Sequence, residues 1–303
     1  MERSLIMRKL VVILLFISVI CIAFAAIFVK LSEAPASIIS MYRMIFAGIL
    51  LTPIVFKYKR ELMKPTRREW GALNIAGLFL AMHFGFWFES LKLTSVASST
   101  VILALQPIIA MVGAYLIYRE KVSGRVVFSV FISFFGVVLI SWGDFSFTDL
   151  SAITGNILSF LGAVAVVCYF MIGQNSVRNL THWVYSFIVF SIAGGFLLIY
   201  NIVTQTDLTG YPPREWLLFV LLAIFPTIAH VIFNYLLNEV SPTTVSMAML
   251  LEPVGASILA FFLLSEYLGI YQITGGIIVL FGVYFFLMSQ RKRRSIEDGP
   301  GYD

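Results

Sequence analysis

Two polar residues stand directly before prolines inside long apolar runs: Gln106-Pro107 and Glu252-Pro253. Proline within a helix removes one backbone N–H and clashes with the preceding turn, which strips the carbonyl four residues back of its partner. Beside Pro253 that carbonyl belongs to Met249. A carboxyl next to a freed carbonyl is a polar notch, suited to contact a solute or to carry a coupling proton. Gln106 makes the uncharged version, able both to donate and to accept. The plainer readings are an acid protonated between helices for Glu252 and a simple kink for Gln106-Pro107.

Other polar groups fall at membrane depth. An ionised side chain at a helix centre costs about 2.5–3.5 kcal/mol, so those that persist face a partner or a cavity. Arg43 lies about six residues into its apolar run, roughly 9 Å at 1.5 Å per residue. It is placed to reach the surface, to pair with Glu89, or to contact a solute. His83 and His230 are mid-depth histidines, able to change protonation near neutral pH or simply to bond a neighbouring helix. Asn234 lies one turn from His230. Trp87, with Phe84, Phe88, Trp142 and Tyr169, offers pocket walls, although in a chain that is 15% aromatic packing explains most rings. The candidate substrate contacts are therefore Arg43, His83, Trp87, Gln106, His230, Asn234 and Glu252; the candidate coupling groups are Glu252 and Glu89. Lys30 ends a run, where its amine would snorkel. Glu120 and Glu266 precede helix starts and suit the positive end of the dipole.

The elements that position these groups are membrane helices. The chain is 60% hydrophobic and 12% charged, with mean hydropathy +0.94, whereas soluble domains are about half apolar and a quarter charged. Ten apolar runs are long enough to be helices across hydrocarbon: 10–29, 37–56, 70–89, 96–118, 126–142, 154–173, 183–203, 216–237, 243–264 and 271–289. The first has a basic lead and an Ala-x-Ala, but it exceeds the 7–15 residues of a signal core. With the N-terminus inside, 17 Lys and Arg fall on inner segments and 3 on outer ones. That split places both termini in the cytoplasm. Gly77, Ala81 and Gly85, and likewise Gly155, Ser159 and Ala163, are spaced four apart as close-packing faces. Cys21 and Cys168 lie within apolar runs and have no metal spacing. Walker A, H-E-x-x-H and G-x-S-x-G patterns are absent, so no cofactor, metal or nucleic-acid partner is implied. The expected partners are the bilayer, a small solute and a proton.

The ten runs form one unit written twice, 146 positions apart. Arg68-Glu69-Trp70 falls on Arg214-Glu215-Trp216, Ala47-Gly48 on Ala193-Gly194, Gln106-Pro107 on Glu252-Pro253 and Gly136-Val137 on Gly282-Val283. The units are 1–147 and 148–290, followed by a polar tail, 291–303. An odd number of spans per unit inverts the second copy, the architecture of secondary transporters.

Residues 93–100 through Leu105-Gln106-Pro107, and Val240-Ser241-Pro242-Thr243-Thr244 through Leu251-Glu252-Pro253, resemble the repeated half-motif of EamA-type proteins in the drug/metabolite transporter superfamily. Arg43 before Ala47 fits the same pattern. The resemblance implies an all-α, ten-helix inverted-repeat exporter of small metabolites or amino acids, working by alternating access in a bacterial cytoplasmic membrane. Gln106 departs from it by replacing an acid in the first copy. A polytopic enzyme acting on a lipid or isoprenoid through His83, His230 and Glu89, or a facilitative channel, is the alternative.

Overall fold

A computed structural model describes residues 2–94, 96–119, 122–140, 142, 149–176, 180–264 and 268–297. Glu120 and Glu266 lie outside them. The described chain is helical throughout: α1 (Glu2–Leu31), α2 (Ala36–Val55), a 3-10 segment (Phe56–Met63), α3 (Arg67–Leu93), α4 (Val96–Leu103), α5 (Gln106–Tyr118), α6 (Gly124–Ile140), α7 (Leu150–Ser176), α8 (His182–Val203), α9 (Pro213–Leu236), α10 (Pro242–Met249), α11 (Glu252–Leu264) and α12 (Ile270–Glu297). Local chemistry sets several starts. Thr66 and Glu69 form a reciprocal capping box before α3, and Ser241 caps α10 through the Thr244 N–H. Each satisfies backbone donors that the first turn leaves unpaired.

Among the described residues, nine helical stretches are long and apolar enough to cross a bilayer. The protein is an all-α polytopic membrane protein. The run expected at 126–142 corresponds to α6, an apolar helix of 17 residues, about 26 Å long. α12 continues through Glu297, past the expected end of its span and into the basic tail.

The spans expected at 96–118 and 243–264 are each divided, into α4 and α5 and into α10 and α11. At the first joint the Leu105 N–H donates to the Ile102 carbonyl at 3.1 Å. At the second, the Leu250 N–H donates to Met247 at 3.3 Å and the Leu251 N–H to Ala248 at 3.0 Å. These three-residue closures tighten the chain before each proline. A new helix then begins with Gln106-Pro107 or Glu252-Pro253 in its first turn, where a missing N–H costs nothing.

Helices are tied by close, antiparallel contacts. On α2 and α8, a Cβ at Gly48 would lie 3.1 Å from Ser191 Oγ, and one at Gly194 would lie 3.1 Å from Ile45 Cγ1. The Asn201 side-chain amide on α8 donates to the Ser37 carbonyl on α2 at 3.2 Å. On α6 and α12, Gly136 faces Gly275 and Val279, while Gly282 faces Ser129 and Ser133. Both pairings are reciprocal under the offset of 146: if one residue meets a second, their counterparts meet too. α3 packs on α7 as α9 packs on α1. The four-apart small residues serve as expected. Gly77 meets Ile192 and Gly155 meets Thr94; Ser159 Oγ donates to the Ser99 carbonyl at 2.6 Å. Outward faces of α6 and α12 carry exposed Phe128, Phe131, Phe135, Ile277, Phe281 and Tyr284, as lipid contact requires.

A Cβ at Gly275 would stand 2.6 Å from the Gly136 carbonyl oxygen and 2.7 Å from the Ile140 nitrogen. Gly275→Ala is therefore expected to destabilise the protein by about 1–3 kcal/mol, seen as a lower Tm in detergent. Gly71 has open space around it, so Gly71→Ala should raise stability by about 0.5–1 kcal/mol through helix propensity.

Candidate functional site

The two helix joints meet. Thr100, Leu103, Ala104 and Gln106 line one narrow cleft with Ser246, Met249, Leu250, Glu252 and Pro253, with a cavity volume of about 10 Å³. Every first-copy residue in this lining has its counterpart, 146 positions on, in the lining as well. Gln106 and Glu252 are each 2% exposed. Gln106 Oε1, Ser246 Oγ and Glu252 Oε1 have no hydrogen-bond partner among the described residues. Both polar side chains sit in the first turn of a half-helix, whose positive end favours negative or electron-rich groups. The repeat leads to the expectation that the two notches face each other; in the structure α5 packs against α10, the segment that leads into Glu252, and the two side chains line one cleft.

A second polar cluster joins five of the remaining candidates. Arg43 on α2 neither reaches the surface nor lies against Glu89. It is wholly buried, with its guanidinium carbon 3.5 Å above the Phe84 ring on α3, a cation–π contact. Its Nη1 faces Met44 Sδ at 3.8 Å, while Nε and Nη2 have no partner among the described residues. The His83 ring lies 4.6 Å from Phe84 and 5.7 Å from Trp87, with which it stacks. Its Nδ1 bonds the Gly162 carbonyl of α7 at 2.9 Å, the helix-to-helix role expected of a membrane histidine. His230 on α9 differs. Its ring is surrounded by Phe84, Tyr169, Phe170, Phe190 and Phe233, and neither nitrogen has a partner among the described residues. Next to it the Tyr169 hydroxyl donates to Asn234 Oδ1 at 2.6 Å, and Asn234 Nδ2 donates to Ser186 Oγ at 2.9 Å. This chain pins α7, α9 and α8 together.

Glu89 is half-buried and stands five residues beyond Phe84, about 140° around α3, away from the Arg43 face. Lys30 is exposed at the end of α1. One group was not singled out from the sequence. Glu215, 3% exposed at the start of α9, accepts from the Ser32 hydroxyl and from the Glu33 N–H at 2.9 Å. Lys92, at the end of α3, donates to the Ser32 carbonyl, and Arg214 donates to the Leu31 carbonyl at 3.2 Å. The turn after α1 is thus knotted to α3 and α9. The repeated Arg-Glu-Trp marked this position; its first-copy equivalent, Glu69, caps α3 through Thr66.

Both halves of the chain match one family profile, described as the EamA-like transporter family, at residues 9–142 and again at 153–288. An uncharacterized transporter of Archaeoglobus fulgidus is 27% identical over 285 residues, which span 92% of this chain and 98% of that protein. The uncharacterized transporter YyaM of Bacillus subtilis is 24% identical over 250 residues, 78% of this chain and 79% of YyaM. A solved crystal structure superposes with a TM-score of 0.78 at 16% identity, covering 95% of this chain and 99% of that one; this is a likeness of fold. The relatives are transporters rather than enzymes, which removes the alternative of a membrane enzyme built on His83, His230 and Glu89.

Tyr169→Phe leaves the buried Asn234 oxygen without its donor. The expected cost is about 1–3 kcal/mol of stability, measurable as a Tm decrease in detergent with the fold retained.

Proposed function

The chain belongs to the EamA-like transporter family and is a polytopic membrane transporter; from that premise we propose that it is a secondary transporter exporting small metabolites or amino acids by alternating access. Residues 1–147 and 148–290 are the two copies, inverted relative to one another about the membrane midplane, with both termini in the cytoplasm. The reading is supported by the reciprocal antiparallel contacts of α2 with α8 and of α6 with α12, since equivalent helices that cross in opposite directions suit an inverted pair. The observation that carries it is the cleft between the two helix joints, lined by matching positions of both copies. Half-helix ends meeting at the interface of two repeats are where transporters of this architecture bind solute and coupling ion. Glu252 carries the coupling proton and Gln106 faces the solute, while Arg43, His83, Trp87, His230 and Asn234 form a second set of contacts. Glu89 serves proton exchange toward the outer side.

In proteoliposomes, Glu252→Gln is expected to lower proton-driven flux at least tenfold without changing Tm or folded yield. Unchanged flux would take Glu252 out of the mechanism. Counterflow of preloaded solute separates a carrier from a channel. In a background with Cys21 and Cys168 replaced, a cysteine at Lys59 should react with an impermeant maleimide only from the cytoplasmic face and one at Gln205 only from outside. The opposite pattern would reverse the orientation.

A further inference from the structure

We propose, building on the transporter reading, that the solute is an organic monocarboxylate with an apolar body, and that Arg43 holds its carboxylate at the ring of Phe84. A lone buried cation without a counter-charge is strongly unfavourable, because its lost hydration is not replaced. Arg43 is wholly buried, and its Nε and Nη2 bond nothing among the described residues. The same is true of both ring nitrogens of His230, whose ring touches Phe84 at 5.3 Å. Buried polar atoms in native proteins are normally satisfied, so a buried guanidinium with two unpaired nitrogens, on a ring that also meets an unpaired imidazole, has the composition of an anion site.

Charge narrows the ligand. One guanidinium balances one negative charge; a phosphate-ester dianion would leave a net charge buried. A zwitterionic amino acid would bring a buried ammonium and leave the site with a net positive charge. Glu252, which could offset it, lies in the other cleft with Gln106. A carboxylate without an amine therefore fits better than a zwitterionic amino acid. The surrounding rings of Phe84, Phe170, Phe190 and Phe233 suit an apolar body. The cluster is enclosed, so the ligand enters as the helices around it part.

The test is binding to the full-length protein in lipid nanodiscs, read by calorimetry and by Trp fluorescence, independently of any flux. The probes are 3-phenylpropionate with its amide, phenethylamine, phenylalanine and phenyl phosphate, together with a panel of short and branched monocarboxylates. At least one monocarboxylate is expected to bind tenfold or more tightly than its amide. Arg43→Gln should abolish that difference. His230→Phe removes ring nitrogens that bond nothing among the described residues, so it should keep Tm yet weaken carboxylate binding about three- to tenfold. No binding across the monocarboxylates, tighter binding of phenylalanine or phenyl phosphate, or undiminished carboxylate binding in both variants would overturn the proposal. Arg43-dependent binding without flux in proteoliposomes would instead count against the transporter reading alone. Flux of another solute, insensitive to Arg43, would count against the site alone.

Discussion

In hydrocarbon, apolar side chains gain nothing by leaving lipid for one another, so helices must be held by close fit and by hydrogen bonds between them. The seam of α6 and α12 depends most directly on that constraint. Gly136, Gly275 and Gly282 each bring one backbone so near another that a single added carbon would overlap it. The α2–α8 contact obeys the same rule with Gly48 and Gly194. Both seams join equivalent helices of the two copies, and in both the contacts exchange under one offset. Such reciprocity requires the two surfaces to be complementary to themselves, which is why small residues recur at matching places in both halves.

The copies differ most where they meet at the centre. Phe84 and His230 occupy equivalent positions, and their rings touch at 5.3 Å. Around this pair the chemistry is unequal. Arg43 corresponds to Val189, His83 to Ala229, Asn234 to Phe88 and Glu252 to Gln106. The outer frame keeps the repeat, while Arg43, His83 and Asn234 each occur in a single copy. Fold and chemistry thus depend on different residues, and the framework tolerates that divergence because its close contacts lie elsewhere.

Much of this organisation was legible in the chain. Helix spans follow from apolar length, and the glycine faces follow from spacing of four. The two Pro notches announced local disruption, yet only the structure divides each span into two helices, because a proline in a first turn and a proline in a kink look alike in sequence. Arg43 was harder to place. Its depth allowed a surface position or a pairing with Glu89, and the deciding factor was the Phe84 ring, contributed by another helix. The Tyr169–Asn234–Ser186 chain needs three helices at once, and the knot at Glu215 needs the turn after α1; neither leaves a local pattern. The pairing of Gln106 and Glu252 in one cleft was expected from the repeat, whereas the separate grouping of Arg43 with the histidines was not.

Two identical halves would give a rocking molecule two rest positions of equal free energy, each the image of the other. The knot of Ser32, Glu33, Lys92 and Glu215 breaks that degeneracy, because Ser32, Glu33 and Lys92 correspond to Arg178, Asn179 and Asn238, so the same set of bonds cannot be repeated at the opposite end. The two ends of the molecule are consequently fastened by different chemistry. A bias of about 1.4 kcal/mol suffices to populate one of two such postures tenfold over its image, a difference within reach of a few polar bonds at a single turn.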